Sequence, residues 1–79
     1  MASTTISVNS RSLIARINRV LSKQDEVLRA ARGSRMQVDV GDYYIVDFRL
    51  NAVVRHDVDP EQLGRKLGVL RPYERIVTE

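Results

Sequence analysis

An α+β fold is predicted for this chain: a small antiparallel sheet, with a hairpin at 43–57, packed by an N-terminal helix over about 10–23 and a short C-terminal helix over about 60–67. Three observations carry it. Leu13, Ile14, Ile17, Val20 and Leu21 recur at helical spacing and form one apolar stripe. Tyr43-Tyr44-Ile45-Val46-Asp47-Phe48-Arg49 is aromatic and β-branched, and Asn51 sits where a hairpin turn falls before a return strand from Ala52 to Asp57. Asp59-Pro60 joins an N-cap residue to a proline at the first helical position, where its missing N–H is harmless.

The elements follow in order. Met1–Thr4 reads as a frayed end, and a few residues at the other terminus as equally loose. Thr5-Ile6-Ser7-Val8 alternates polar and apolar, as a short strand does. Asn9 or Ser10 caps the first helix. Its stripe can be continued through Gln24, Val27, Leu28 and Ala31, giving one long helix to Arg32. The polar break Ser22-Lys23-Gln24-Asp25-Glu26 favours a helix ending near Lys23 and a strand over 26–32. Gly33–Asp42, with glycine near both ends, reads as a loop. In the strand that follows, Tyr44, Val46, Phe48 and Leu50 share a face; Tyr44 and Phe48 are expected in the core, leaving Tyr43 free. Leu63 and Leu67 face the core and Gly68 stops the last helix. Val69, Leu70, Tyr73 and Ile76 are expected to pack irregularly, with Pro72 barring further helix.

The 79 residues make one domain, 1–79. A chain of this size buries only about 60% of its unfolded surface, so its stability is marginal. It has no cysteine, hence no disulfide, and a single histidine, His56, which rules out a Cys/His zinc site. Idealised packing or oligomerisation remains, and a homodimer is expected. No apolar run approaches the ~20 residues that span a bilayer. Met1–Val8 lacks the features of a signal peptide, so a cytoplasmic location is expected.

The parts of an enzyme are missing. His56-Asp57-Val58-Asp59 puts an imidazole near two carboxylates, but alternate residues of a strand point apart. That stretch reads as a strand end followed by a helix cap. A serine nucleophile would depend on His56, with nothing local to pair them. Asp39, Asp42 and Asp47 are spaced like surface charges. Gly64-Arg65-Lys66-Leu67-Gly68 lacks the spacing and the Ser/Thr of a phosphate loop, and its glycines suit close helix packing. The reading is therefore of a non-enzyme without catalytic residues, metal, cofactor, small-molecule substrate or membrane contact.

Charge is distributed unevenly. Up to Arg35 there are seven basic and two acidic residues, 7 − 2 = +5; from Met36 there are six and eight, 6 − 8 = −2. Arg11, Arg16, Arg19, Lys23, Arg29, Arg32 and Arg35 form the candidate binding set, against Asp25 and Glu26 alone. Such density favours an anionic partner, since each phosphate neutralised releases counterions. Single-strand readers need aromatic platforms, of which only Tyr43 is left free, whereas a duplex groove asks for arginine. Double-stranded DNA is the expected partner. A protein-interaction module, such as a host-defence inhibitor or antitoxin-like partner using Tyr43, Ile45 and Arg49 or the acidic hairpin end, is the competing reading. RNA binding is a third.

Three segments carry a resemblance: Ile6-Ser7-Val8-Asn9-Ser10-Arg11-Ser12-Leu13, Asp42-Tyr43-Tyr44-Ile45-Val46-Asp47 and Leu63-Gly64-Arg65-Lys66-Leu67-Gly68-Val69-Leu70. Together they resemble a group of small proteobacterial proteins encoded on plasmids and mobile elements. The resemblance implies a compact α/β dimer, accessory to a mobile element, that binds DNA. It transfers no site residues.

Overall fold

The computed structural model describes residues 5–77; the expected loose ends at Met1–Thr4 and after Val77 lie outside them. The elements are β1 (Ile6–Asn9), α1 (Ser10–Leu21), a 3-10 turn (Ser22–Gln24), β2 (Glu26–Ala30), α2 (Ser34–Val40), β3 (Tyr43–Asp47), β4 (Ala52–Arg55), α3 (Pro60–Lys66) and β5 (Glu74–Val77). β2, β3 and β4 form an antiparallel meander, and β1 and β5 a separate parallel pair. The α+β class holds.

Asn9 starts α1 by accepting a hydrogen bond from the Ser12 N–H at 2.7 Å. Leu13, Ile17 and Leu21 then bury the apolar stripe, with Ile14 packed beside it. The helix tightens through the 3-10 turn and ends at Asp25, whose φ of 61° is left-handed. Aspartate tolerates that conformation better than most side chains. The reversal releases the chain into β2 and excludes the continuous helix.

β2 and β3 pair Val27 with Val46, Leu28 with Ile45 and Arg29 with Tyr44. Leu28 and Ile45 enter the core with Leu13, Ile17, Leu21, Leu63 and Leu70. Ile45 is only 1% exposed, which corrects the expected facing of this strand. Tyr44, Val46 and Phe48 lie on the face turned away from α1. Tyr44 is buried there, outside the core cluster, beside Arg29, Arg32 and Met36. Tyr43 is the tyrosine packed against the core, while Phe48 and Leu50 are 51% and 72% exposed. Alternation shows which residues share a face. Because both sets in 43–48 carry large apolar side chains, Tyr43 and Ile45 on one and Tyr44, Val46 and Phe48 on the other, it does not show which face is covered, and the pairing of Ile45 with Leu28 decides that.

The hairpin turn is fixed by Asp47, whose Oδ1 accepts from the Arg49 and Leu50 N–H groups at 2.9 and 3.1 Å. Asn51 takes a left-handed φ of 54°. A register shift between Ile45 and Val46 leaves Val54 as an extra residue in β4.

Two expectations are corrected. Gly33–Asp42 is not a loop, because Ser34–Val40 is helical. Its two glycines, at φ +85° and +79°, punctuate a single helix rather than mark turns. The helix hides from a periodicity search because Met36 is half-buried while Val38 is 84% exposed. The tail is irregular at Val69, Leu70 and Tyr73, as expected, but not at Ile76. Its last four described residues form β5, in register with β1 from Ile6–Glu74 to Asn9–Val77.

α3 begins as read, with Asp59 Oδ1 accepting from the Glu61 N–H at 3.0 Å and Pro60 following the cap. It lies against α1 at Gly64, where a Cβ would stand 2.7 Å from Leu13 Cδ1 and 3.3 Å from Leu70 Cβ.

Candidate nucleic-acid interface

α1 contains no acidic residue. At about 100° per residue, Arg11, Ser12, Ala15, Arg19 and Ser22 fall opposite Leu13, Ile17 and Leu21, and all five are exposed. Lys23 continues this exposed surface in the 3-10 turn. Arg11, Arg19 and Lys23 form no ion pair among the described residues. Between them Ser12 and Ala15 are short, so a flat anionic surface can approach the helix closely.

Arg16 is placed differently. Its Nη1 lies 3.0 Å from both carboxylate oxygens of Glu74 and 3.1 Å from the Val69 carbonyl oxygen. Glu74 is buried and also accepts from the Arg71 N–H at 2.8 Å. The Arg71 amide, and after it the Arg16 guanidinium, hold the Glu74 carboxyl below its ordinary range against the opposing effect of burial. Arg16 therefore anchors β5 to α1. It shares a depression with Arg19, Val69, Arg71 and Tyr73. Arg71, whose guanidinium donates to the Tyr73 hydroxyl at 2.8 Å, is a cation the sequence reading missed. It lies in the acidic half of the chain, and only folding brings it to α1.

The rest of the expected set lies elsewhere. Arg29 and Arg32 line a second depression with Ala30, Met36 and Tyr44. Arg29 projects from the sheet face turned away from the core, because its neighbour Leu28 points inward. Arg35 is exposed in the first turn of α2. The seven residues are thus divided: Arg11, Arg19 and Lys23 on the α1 surface, Arg16 tied to Glu74, Arg29 with Arg32, and Arg35 on α2.

The His56-Asp57 stretch forms an exposed pair, Nδ1 to Oδ2 at 2.8 Å. Among the described residues no three His, Cys, Asp or Glu side chains gather as a metal site. None of their helices is long and apolar enough to cross a membrane.

The surface expected for a protein partner is also revised. Ile45 is in the core, Tyr43 packs against it, and Arg49 reaches Asp25 at 3.4 Å. The opposite sheet face is the apolar one. Val27, Val46 and Val53 form a row across all three strands, and Phe48 stands beside it.

No protein-family model, curated protein or solved structure matches the chain.

Proposed function

We propose that this protein binds double-stranded DNA through the solvent face of α1, as a regulator or accessory factor. The observation that supports this is the helix surface of Arg11, Arg19 and Lys23, with short side chains between the cations and no acid on the helix. A major groove roughly 12 Å wide admits an α-helix, and guanidinium groups suit both phosphates and guanine edges. Arg71 widens the basic surface on the Arg19 side.

Replacing Arg11, Arg19 and Lys23 with alanine tests the reading. These side chains are exposed, so the variant keeps its fold. Its affinity for duplex DNA falls, and the slope of log K against log salt flattens by roughly 0.9 for each phosphate no longer neutralised. Gel shifts at low salt that show no complex at micromolar protein would sink the proposal. Stronger competition by duplex RNA would move it to the other nucleic acid. Arg16 is unsuitable for this test, because removing it leaves Glu74 buried without its guanidinium partner.

A further inference from the structure

The three-stranded sheet is covered on one face only. α1 and α3 close the inner face through Leu13, Ile17, Leu21 and Leu63 against Leu28 and Ile45. On the outer face α2 reaches only the Tyr44 end, where Met36 lies. The middle of the face is apolar. Val53 is 45% exposed at the end of the row it makes with Val27 and Val46, and Phe48 adds a half-exposed ring. Contiguous apolar surface of this kind marks an interaction site on a small protein.

The sheet edges are poor places for a partner strand. At the β2 edge, Asn18 of α1 bonds both the Leu28 N–H, at 2.7 Å, and the Leu28 carbonyl, at 3.3 Å. At the β4 edge the extra residue Val54 disrupts the ladder, a device that protects edges from pairing. The partner must come to the face.

We propose that a second copy of this chain covers the face, the two sheets packing about a two-fold axis that runs along the valine row. The arrangement of charge selects this partner. On one side of the row stand Arg29 and Tyr44, which pair across the strands. On the other stand Asp25 and Phe48, brought side by side by the Phe48 N–H bond to the Asp25 carbonyl at 3.0 Å. Rotation about the row lays valines on valines, sets Asp25 opposite Arg29 of the second copy, and brings the half-exposed ring of Phe48 up to the end where Met36 covers Tyr44. Arg29 makes no ion pair within its own chain among the described residues, so its charge is available; Asp25 meets Arg49 at 3.4 Å but keeps 41% of its side chain exposed, so it can take a second cation. The axis keeps the strands of the two sheets nearly antiparallel, as aligned sheet packing at about 10 Å requires. The face is thus self-complementary, as an isologous contact must be.

Sedimentation analysis of the full chain over a range of concentrations tests this. The wild-type protein is expected to be a dimer at micromolar concentration. Phe48→Glu and Val53→Glu, each at an exposed position, are expected to give folded monomers by circular dichroism. Arg29→Glu alone and Asp25→Lys alone should each raise the dissociation constant roughly tenfold, about 1.4 kcal/mol. The Arg29→Glu/Asp25→Lys pair should recover most of that affinity, which an unrelated partner would not produce. A wild-type protein that stays monomeric at high micromolar concentration overturns the proposal. So does a dimer that survives both glutamate substitutions. Failure of the charge exchange, with Phe48→Glu still monomeric, would overturn the two-fold arrangement. DNA binding does not enter the measurement, so the two proposals stand or fall separately.

Discussion

Gly64 has to be glycine because two leucines occupy the place of its side chain, Leu13 Cδ1 at 2.7 Å and Leu70 Cβ at 3.3 Å from a Cβ. Gly64→Ala sets two effects against each other. Alanine favours a helix over glycine by about 1 kcal/mol, whereas overpacking a filled core costs about 1–3 kcal/mol. One of the two neighbouring atoms is a Cβ, held by its own backbone, so the clash should win. A lowered Tm is expected, at about 4–8 °C per kcal/mol for a domain of this size, and an unchanged Tm would mean that Leu13 yields freely. Glu74 gives a pH signature. Its folded pKa lies below the ordinary 4.5 because the Arg71 amide and then Arg16 stabilise the carboxylate. Its stabilisation is therefore complete above the unfolded value and disappears as pH falls through the lowered folded one. Unfolding curves between neutral and acid pH should show that decline in the wild type and a flatter profile in Glu74→Gln. The Arg16–Glu74 pair is not legible in the sequence. Arg16 reads as one of several exposed cations because its partner is almost a whole chain away, and no local pattern joins them.

Elements are legible where their signal is local. α1 has a cap and a stripe, α3 has Asp59-Pro60, and the hairpin has β-branched strands about Asn51. β5 has no such signal, since it is a strand only by virtue of β1 beside it. α2 is seven residues long with little buried surface, so periodicity has nothing to register. The strand at 43–47 is plain in the sequence, but its inner and outer faces are exchanged there, because burial on one face depends on what packs against it. The join between α1 and β2 rests on Asn18, whose amide bonds both backbone groups of Leu28. Asn18→Ala leaves a half-buried N–H and carbonyl without these partners, at a cost of about 1–3 kcal/mol. Hydrogen exchange at the Leu28 amide should speed up more than at Ile45, and uniform acceleration along the sheet would contradict a local role.

For the whole molecule, the +5 of the N-terminal half does not become one surface. Arg11, Arg19 and Lys23 follow α1, whereas Arg29 leaves the sheet on its other face. The salt dependence of the proposed DNA binding should therefore respond to the α1 cations and much less to Arg29→Ala, and an equal response would require both surfaces to touch the same duplex. Connectivity brings a different consequence. β1 is made first, and β5, its only pairing partner among the described strands, is made last. On a ribosome adding about 5–20 residues per second, roughly three to thirteen seconds pass between them. During that interval Val8 can pack with the α1 residues of the core, but the backbone of β1 has no strand to pair with. The β1–β5 pair joins residues 6–9 to 74–77, and the backbone of β1 stays open to other strands until β5 reaches it.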